Sequence, residues 1–124
     1  MAEAPVILNV DDRESSRYAR AQILQQHGFA VVDATTGQEA LAAARRLRPA
    51  AMLMDVFLPD ADGRDIGRTI KQDPELRAIR IVLVSAVVQP LEAAENLDET
   101  ADAFLAEPIS TETLVAALRR VLAS

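Results

Sequence analysis

Short apolar runs alternate with helical patterns along the whole chain. The runs are four to five residues long and nearly continuous in apolar character, which is typical of parallel strands that are covered on both faces. The intervening segments place apolar residues at helical spacing. The predicted elements are, in order, strand one at Val6–Val10, a helix at 14–27, strand two at Ala30–Ala34, a helix opening at Thr36, strand three at 51–54, a helix carrying Ile66 and Ile70 inward, strand four at 81–84, a short helix at 91–96, strand five at Ala103–Ala106 and a last helix from near Ser110.

The ends of these helices carry recognisable sequence signals. Gly28 follows the first helix, as glycine often does just past a helix end. Thr36-Gly37-Gln38-Glu39 has the Thr-x-x-Glu spacing of a capping box, in which the two side chains satisfy free backbone N–H groups. The last helix aligns an apolar stripe made of Leu114, Val115, Leu118, Val121 and Leu122.

The strand–helix alternation predicts an α/β fold with a five-stranded parallel sheet. Right-handed crossovers then place helices on both faces. Two layouts are common, a flavodoxin-like strand order 2-1-3-4-5 and half of a dinucleotide-binding fold. The second layout requires a glycine-rich turn after strand one, whereas the turn here begins Asp11-Asp12-Arg13 and contains no glycine. Two carboxylates at that turn would repel a pyrophosphate, so the flavodoxin-like order is favoured.

Acidic residues stand where strands one and three end. Asp11 and Asp12 close the first run and Asp55 closes the third. In the flavodoxin-like order these strands are neighbours, and ligands bind beyond the carboxyl ends of the strands at this point. Three carboxylates gathered there are suited to a hard divalent cation, and one of them is open to chemical modification.

Composition narrows the class of protein further. A chain of 124 residues suits one domain, and its net charge of −6 argues against nucleic-acid binding by this domain. The absence of cysteine removes disulfides, thiol catalysis and zinc–thiolate sites, and it fits a cytoplasmic location. No secretory signal or membrane-spanning run is apparent, so no membrane partner is expected.

Four segments together carry a family resemblance that covers essentially the whole chain. They resemble the receiver domain of bacterial two-component response regulators, each at the expected strand end. The segments are Asn9-Val10-Asp11-Asp12, Met54-Asp55-Val56-Phe57-Leu58-Pro59-Asp60-Ala61-Asp62-Gly63, Val84-Ser85-Ala86 and Phe104-Leu105-Ala106-Glu107-Pro108.

This resemblance implies a phosphorylation site. Asp55 would accept a phosphoryl group from a histidine kinase, a phosphotransfer protein or a small acyl-phosphate donor. Asp12, Asp55 and the backbone carbonyl of Phe57 would ligate Mg²⁺, with Asp11 assisting through water.

The resemblance also implies a switch. Ser85 would donate a hydrogen bond to the phosphoryl group. Phe104 stands where receivers have an aromatic switch, although a plain core role is equally compatible with the sequence. The switch would change the face formed by the helix at 91–96, strand five and the last helix, where a downstream partner or a fused effector domain binds.

Glu107 departs from the family pattern. Receivers have lysine immediately before the proline that follows the last strand, and this chain has the opposite charge there. If Glu107 points inward, four carboxylates meet, and their repulsion should raise some of the pKa values or attract a cation more strongly. If it points outward, the site simply lacks its usual cation. From its position in the loop after strand one, Arg13 is hypothesised to substitute for this lysine in part.

The sequence is compatible with three functions. The first is a single receiver domain over residues 1–124, acting alone or within a larger protein, that catalyses at most its own phosphorylation and dephosphorylation. The second is a phosphorylation-independent interaction module, which Glu107 favours. The third is a Mg²⁺-dependent phosphohydrolase, for which the chain lacks a second acid two residues after Asp55 and any cap insertion.

Overall fold

Five parallel strands form one sheet in the order β2-β1-β3-β4-β5. The computed structural model describes residues 3–86 and 100–123, so the helix predicted at 91–96 lies outside the described residues. The elements are β1 (Val6–Val10), α1 (Glu14–Gln26), β2 (Ala30–Ala34), α2 (Gly37–Leu47), β3 (Ala51–Asp55), α3 (Gly63–Gln72), β4 (Arg80–Ser85), β5 (Ala103–Ala106) and α4 (Thr111–Ala123). The flavodoxin-like order is therefore confirmed.

The register brings the carboxyl ends of the central strands to one edge of the sheet. Val10 is paired with Met54 across β1 and β3, and Asp55 is paired with Val84 across β3 and β4. Because all strands are parallel, the polar residues that close them face the same crevice.

Two apolar cores lie on opposite faces of the sheet. α2 and α3 cover one face, where Ile70 is fully buried against Met52 and Met54. α1 and α4 cover the other face, where Leu24 and Leu118 are fully buried. Burying apolar surface from both helical layers holds the central strands in place, and these strands carry the acidic residues.

Helix ends differ in detail from the sequence signals. α1 ends at Gln26, and His27 is its C-cap. Thr36 accepts a hydrogen bond from the N–H of Glu39 at 3.1 Å, as a capping box requires. The Glu39 carboxylate, however, accepts from the N–H of Thr35 at 2.7 Å, one residue before the N-cap. None of the helices in the described ranges has the length and apolarity needed to cross a bilayer.

Candidate functional site

Asp11, Asp12 and Asp55 converge at the carboxyl end of the sheet. Each offers a carboxylate oxygen, and these atoms lie within 4.8 Å of one another. Asp11 and Asp55 are buried, whereas Asp12 is exposed. The parallel register of β1 and β3 thus produces the cluster that the sequence predicts.

A cavity of about 180 Å³ opens beside this cluster. Its polar lining comes from several strand ends and loops, and Phe57 forms part of its wall with a side chain that is 61% exposed. The lining residues are Asp12, Arg13, Asp55, Phe57, Val84, Ser85, Ala86 and Glu107. The cavity therefore gives solvent access to Asp55, which is otherwise 5% exposed.

The loop after β3 packs tightly against the strand end and fixes the backbone of Asp55. The N–H of Gly63 donates to the carbonyl of Val56 at 2.7 Å. A Cβ atom at Gly63 would overlap the carbonyl oxygen of Asp55. Glycine is needed here because the start of α3 passes directly over the backbone of the site.

Glu107 points into the site, where two arginines hold it. Its Oε1 accepts a hydrogen bond from Nη2 of Arg13 and another from Nη2 of Arg20, each at 2.8 Å. Its backbone N–H donates to the carbonyl of Ser85 at 2.9 Å, which anchors it beside β4. The inward alternative considered from the sequence is the one adopted, but the carboxylate is paired with cations.

Arg20 reaches the cluster from α1 and contacts three carboxylates. Its Nη1 lies 3.1 Å from Asp55 Oδ1 and 3.1 Å from Asp11 Oδ2, while Nη2 binds Glu107. The side chain is only 9% exposed. Burying a guanidinium is costly unless it is paired, so these three contacts account for its position.

Arg13 binds the same carboxylates from the solvent side. Its Nε lies 3.2 Å from Asp11 Oδ1, and its Nη2 lies 3.3 Å from Asp55 Oδ2. The Arg13 side chain is 44% exposed, so water and salt screen its interactions more than those of Arg20. With Asp12 and Glu107 included, four carboxylates and two guanidinium groups leave this cluster a formal net charge of minus two.

The acidic groups respond differently to these surroundings. Burial, together with hydrogen bonding to Asp11, raises the pKa of Asp55 to about 7, although Arg20 opposes the shift. Burial would also raise the pKa of Asp11, but hydrogen bonds from Asp55 and Arg13 lower it overall. The hydrogen bond from Arg13 lowers the pKa of Glu107 despite partial burial. Within the cluster, burial thus raises the pKa of Asp55, whereas the pKa of Glu107 is lowered and its carboxylate remains an anion.

The remaining predicted residues surround this centre. Ser85 is 3% exposed at the end of β4 and lines the cavity. Phe104 on β5 is partly buried and packs against the core beneath α2 and α3. These positions put Ser85 beside Asp55 and Phe104 on the adjoining strand.

Arg20 is the site residue that the sequence reasoning missed. Its signal is the spacing of three and four residues through Arg17, Arg20 and Leu24, which puts these three side chains on one face of α1. Leu24 on that face is fully buried, so the arginines ahead of it point toward the sheet. Arginines that share a helix face with a buried apolar residue indicate that their guanidinium groups are paired with carboxylates inside the protein.

Comparisons with known proteins agree on one family. Residues 7–119 match the model of the response regulator receiver domain. The chain is 32% identical over 117 residues to protein PilH of Pseudomonas aeruginosa, covering 94% of this chain and 97% of PilH. It is also 32% identical to the transcriptional regulatory protein CseB of Streptomyces avermitilis, covering 98% of this chain but only 51% of CseB.

Solved structures include a close fold match with a metal. The receiver domain of the sensor histidine kinase PA1611 from Pseudomonas aeruginosa was solved with a magnesium ion coordinated in its active-site cleft. It superposes on this chain with a TM-score of 0.88 at 27% sequence identity, covering 98% of this chain and 99% of that one. Fold and sequence comparisons thus lead to the same family.

Proposed function

The chain belongs to the response regulator receiver domain family, and we propose on that basis that it accepts a phosphoryl group on Asp55 in two-component signal transduction. The observation that carries the proposal is the placement of Asp55. It is a buried carboxylate at the end of a central strand, with access to a cavity lined by Asp12 and Ser85. Such a carboxylate is a suitable nucleophile toward phosphorus.

The transfer would form one bond and break another. An oxygen of Asp55 bonds to phosphorus while the P–N bond of a phosphohistidine, or the P–O bond of an acyl phosphate, breaks with its electron pair going to the donor. The histidine donor leaves as a neutral imidazole whose other ring nitrogen carries the proton, and the small donor leaves as a carboxylate. The product is an aspartyl phosphate on Asp55.

The acidic cluster has the donor set that Mg²⁺ prefers. Carboxylate oxygens of Asp11, Asp12 and Asp55 lie close together, and the cluster has a formal net charge of minus two when every carboxyl group is ionised. We assign the ion to Asp12, Asp55 and the carbonyl of Phe57, with Asp11 acting through water. When bound, it would neutralise charge on the transferring phosphoryl oxygens. The magnesium ion in the PA1611 receiver domain supports this assignment by similarity.

Phosphorylation would act on a neighbouring binding surface. Ser85 would donate a hydrogen bond from its hydroxyl to the phosphoryl group, and Phe104 would couple this change to a face that includes β5 and α4. We propose a histidine kinase or phosphotransfer protein as the donor partner, and a downstream protein or fused effector domain as the receiver of the signal. We further propose that residues 1–124 form one cytoplasmic receiver domain that catalyses only its own phosphorylation and dephosphorylation.

Intact mass after incubation with acetyl phosphate and Mg²⁺ tests the proposal directly. We expect a single phosphoryl adduct on the native chain and none on Asp55→Asn. Omission of Mg²⁺ or addition of EDTA should suppress the adduct. An adduct that persists in Asp55→Asn would place the modification elsewhere and contradict the assignment.

A phosphorylation-independent interaction module is the second candidate. The feature that favours it is the pair of guanidinium groups already bound to Asp55, because they supply cationic contacts that a phosphorylated receiver would otherwise gain. Under this alternative, partner regulation in cells would survive Asp55→Asn. Under the leading proposal, it would be lost.

A further inference from the structure

We propose that Arg20 supplies the positive charge that stabilises the phosphoryl group on Asp55, and that Glu107 positions Arg20 for this role. The inference rests on the proposed function, because it assumes that Asp55 is the phosphoacceptor. It assigns to a residue of α1 the part that the sequence pattern of the family gives to a lysine at position 107.

The contacts of Arg20 fit this role. One guanidinium nitrogen, Nη1, lies 3.1 Å from Asp55 Oδ1, and the other, Nη2, lies 2.8 Å from Glu107 Oε1. The planar guanidinium donates in two fixed directions, so it holds Glu107 and still faces the nucleophile. A lysine ammonium at position 20 would be a single point charge without this fork.

Burial makes this charge effective. The Arg20 side chain is 9% exposed, so its field at Asp55 is screened less than that of Arg13, whose side chain is 44% exposed. Arg13 also contacts the nucleophile, with its Nη2 3.3 Å from Asp55 Oδ2, but it does so from the solvent side. We therefore expect Arg20, more than Arg13, to replace the positive charge of the lysine expected at position 107.

Glu107 acts through Arg20. Its backbone N–H donates to the carbonyl of Ser85, so the end of β4 fixes the backbone from which the carboxylate extends. The carboxylate then holds Nη2 of Arg20 at 2.8 Å, and Glu107 itself lines the cavity. Removal of Glu107 would free one side of the guanidinium and allow it to turn fully onto Asp11 and Asp55.

The test measures the rate of adduct formation on Asp55 with acetyl phosphate and saturating Mg²⁺, by intact mass. We expect Arg20→Gln to slow the reaction about tenfold or more, as loss of a preorganised charge does in buried sites. Arg20→Lys should retain an intermediate rate. The control is Lys71→Gln, because Lys71 is a partly buried cation that lies 2.6 Å from Asp102 and is remote from the acidic cluster. The rate of adduct formation on this variant should stay within about twofold of the native rate.

Two further variants test the positioning role of Glu107. Glu107→Gln should slow the reaction severalfold in the native background but have no further effect when Arg20 is already Gln. Arg20→Gln combined with Glu107→Lys should recover much of the lost rate, because a cation again reaches the phosphoryl group. A purely structural role for the pair would not produce this recovery.

Beryllium fluoride, a phosphoryl analogue, provides a readout that does not require turnover. With Mg²⁺ it should raise the thermal unfolding temperature of the native chain, and raise it less in Arg20→Gln. Urea unfolding of each variant shows whether it is folded. Equal rates and equal shifts in native and Arg20→Gln would overturn the inference while leaving Asp55 phosphorylation intact.

The two proposals fail in different ways. If the native chain forms no adduct but Arg20→Gln does, Arg20 blocks the site and the inference is overturned, although Asp55 is still a phosphoacceptor. If neither chain forms an adduct or responds to beryllium fluoride, the proposed function fails and the inference falls with it.

Discussion

Placing a lysine at position 107, where the family resemblance leads us to expect one, should destabilise this protein. Glu107→Lys removes the acceptor of two hydrogen bonds of 2.8 Å, from Arg13 and Arg20, and places a third cation beside both guanidinium groups. Removing one partner of a buried ion pair costs about 3–5 kcal/mol. The Glu107 side chain is 21% exposed, so solvent moderates the effect. We therefore expect the free energy of unfolding to fall by about 2–4 kcal/mol.

Urea unfolding at pH 7 followed by circular dichroism measures this change. Glu107→Gln is the matched control, since it removes the charge without adding a cation, and it should lose about half as much stability. Adding Arg20→Gln to Glu107→Lys should restore part of the loss by relieving the repulsion. High salt should narrow the difference between native and Glu107→Lys, because the contact with Arg13 is partly exposed. A Glu107→Lys variant as stable as native would refute the ion-pair argument.

Two further predictions concern the loop that follows Asp55. Gly63→Ala should lower the free energy of unfolding by about 1–3 kcal/mol, because the added Cβ would overlap the carbonyl oxygen of Asp55. Urea unfolding measures this change. An unchanged unfolding midpoint would show that the loop relaxes to accept the Cβ. Asp60 accepts hydrogen bonds from the N–H groups of Gly37 and Gln38, which lower its pKa. The stability advantage of native over Asp60→Asn should therefore be complete above the ordinary aspartate pKa and disappear as pH falls through the lowered one, whereas a pH-independent difference would exclude this origin.

The strand order and the acidic cluster could be predicted because both follow from local patterns. Nearly continuous apolar runs identified the strands, and the glycine-free turn after β1 favoured the flavodoxin-like order. Once β1 and β3 are neighbours, parallel register alone brings Asp11 and Asp55 together. No information about side-chain conformations is needed for this part of the site.

Arg20 could not be placed by the same reasoning, because it violates the rule that charged residues of a helix face solvent. α1 has few apolar residues, so its buried face is marked mainly by Leu24. Which carboxylates an inward arginine meets depends on the three-dimensional packing of α1 against β1 and β2, which decides the strand ends that its side chains reach. The orientation of Glu107 was undetermined for the same reason, since its partners lie about 90 residues earlier in the chain.

Glu107 and Arg20 have to be interpreted as a pair. Considered alone, Glu107 reverses a charge and indicates a disabled site. The family pattern of three aspartates and one lysine has a formal charge of minus two, and the four carboxylates and two arginines here have the same total. A bound divalent metal ion neutralises either arrangement. The total charge of the side chains is therefore the same, and only the positions of the basic side chains differ. A receiver sequence that lacks this lysine should therefore be searched for arginine on the inward face of its first helix before the site is judged inactive.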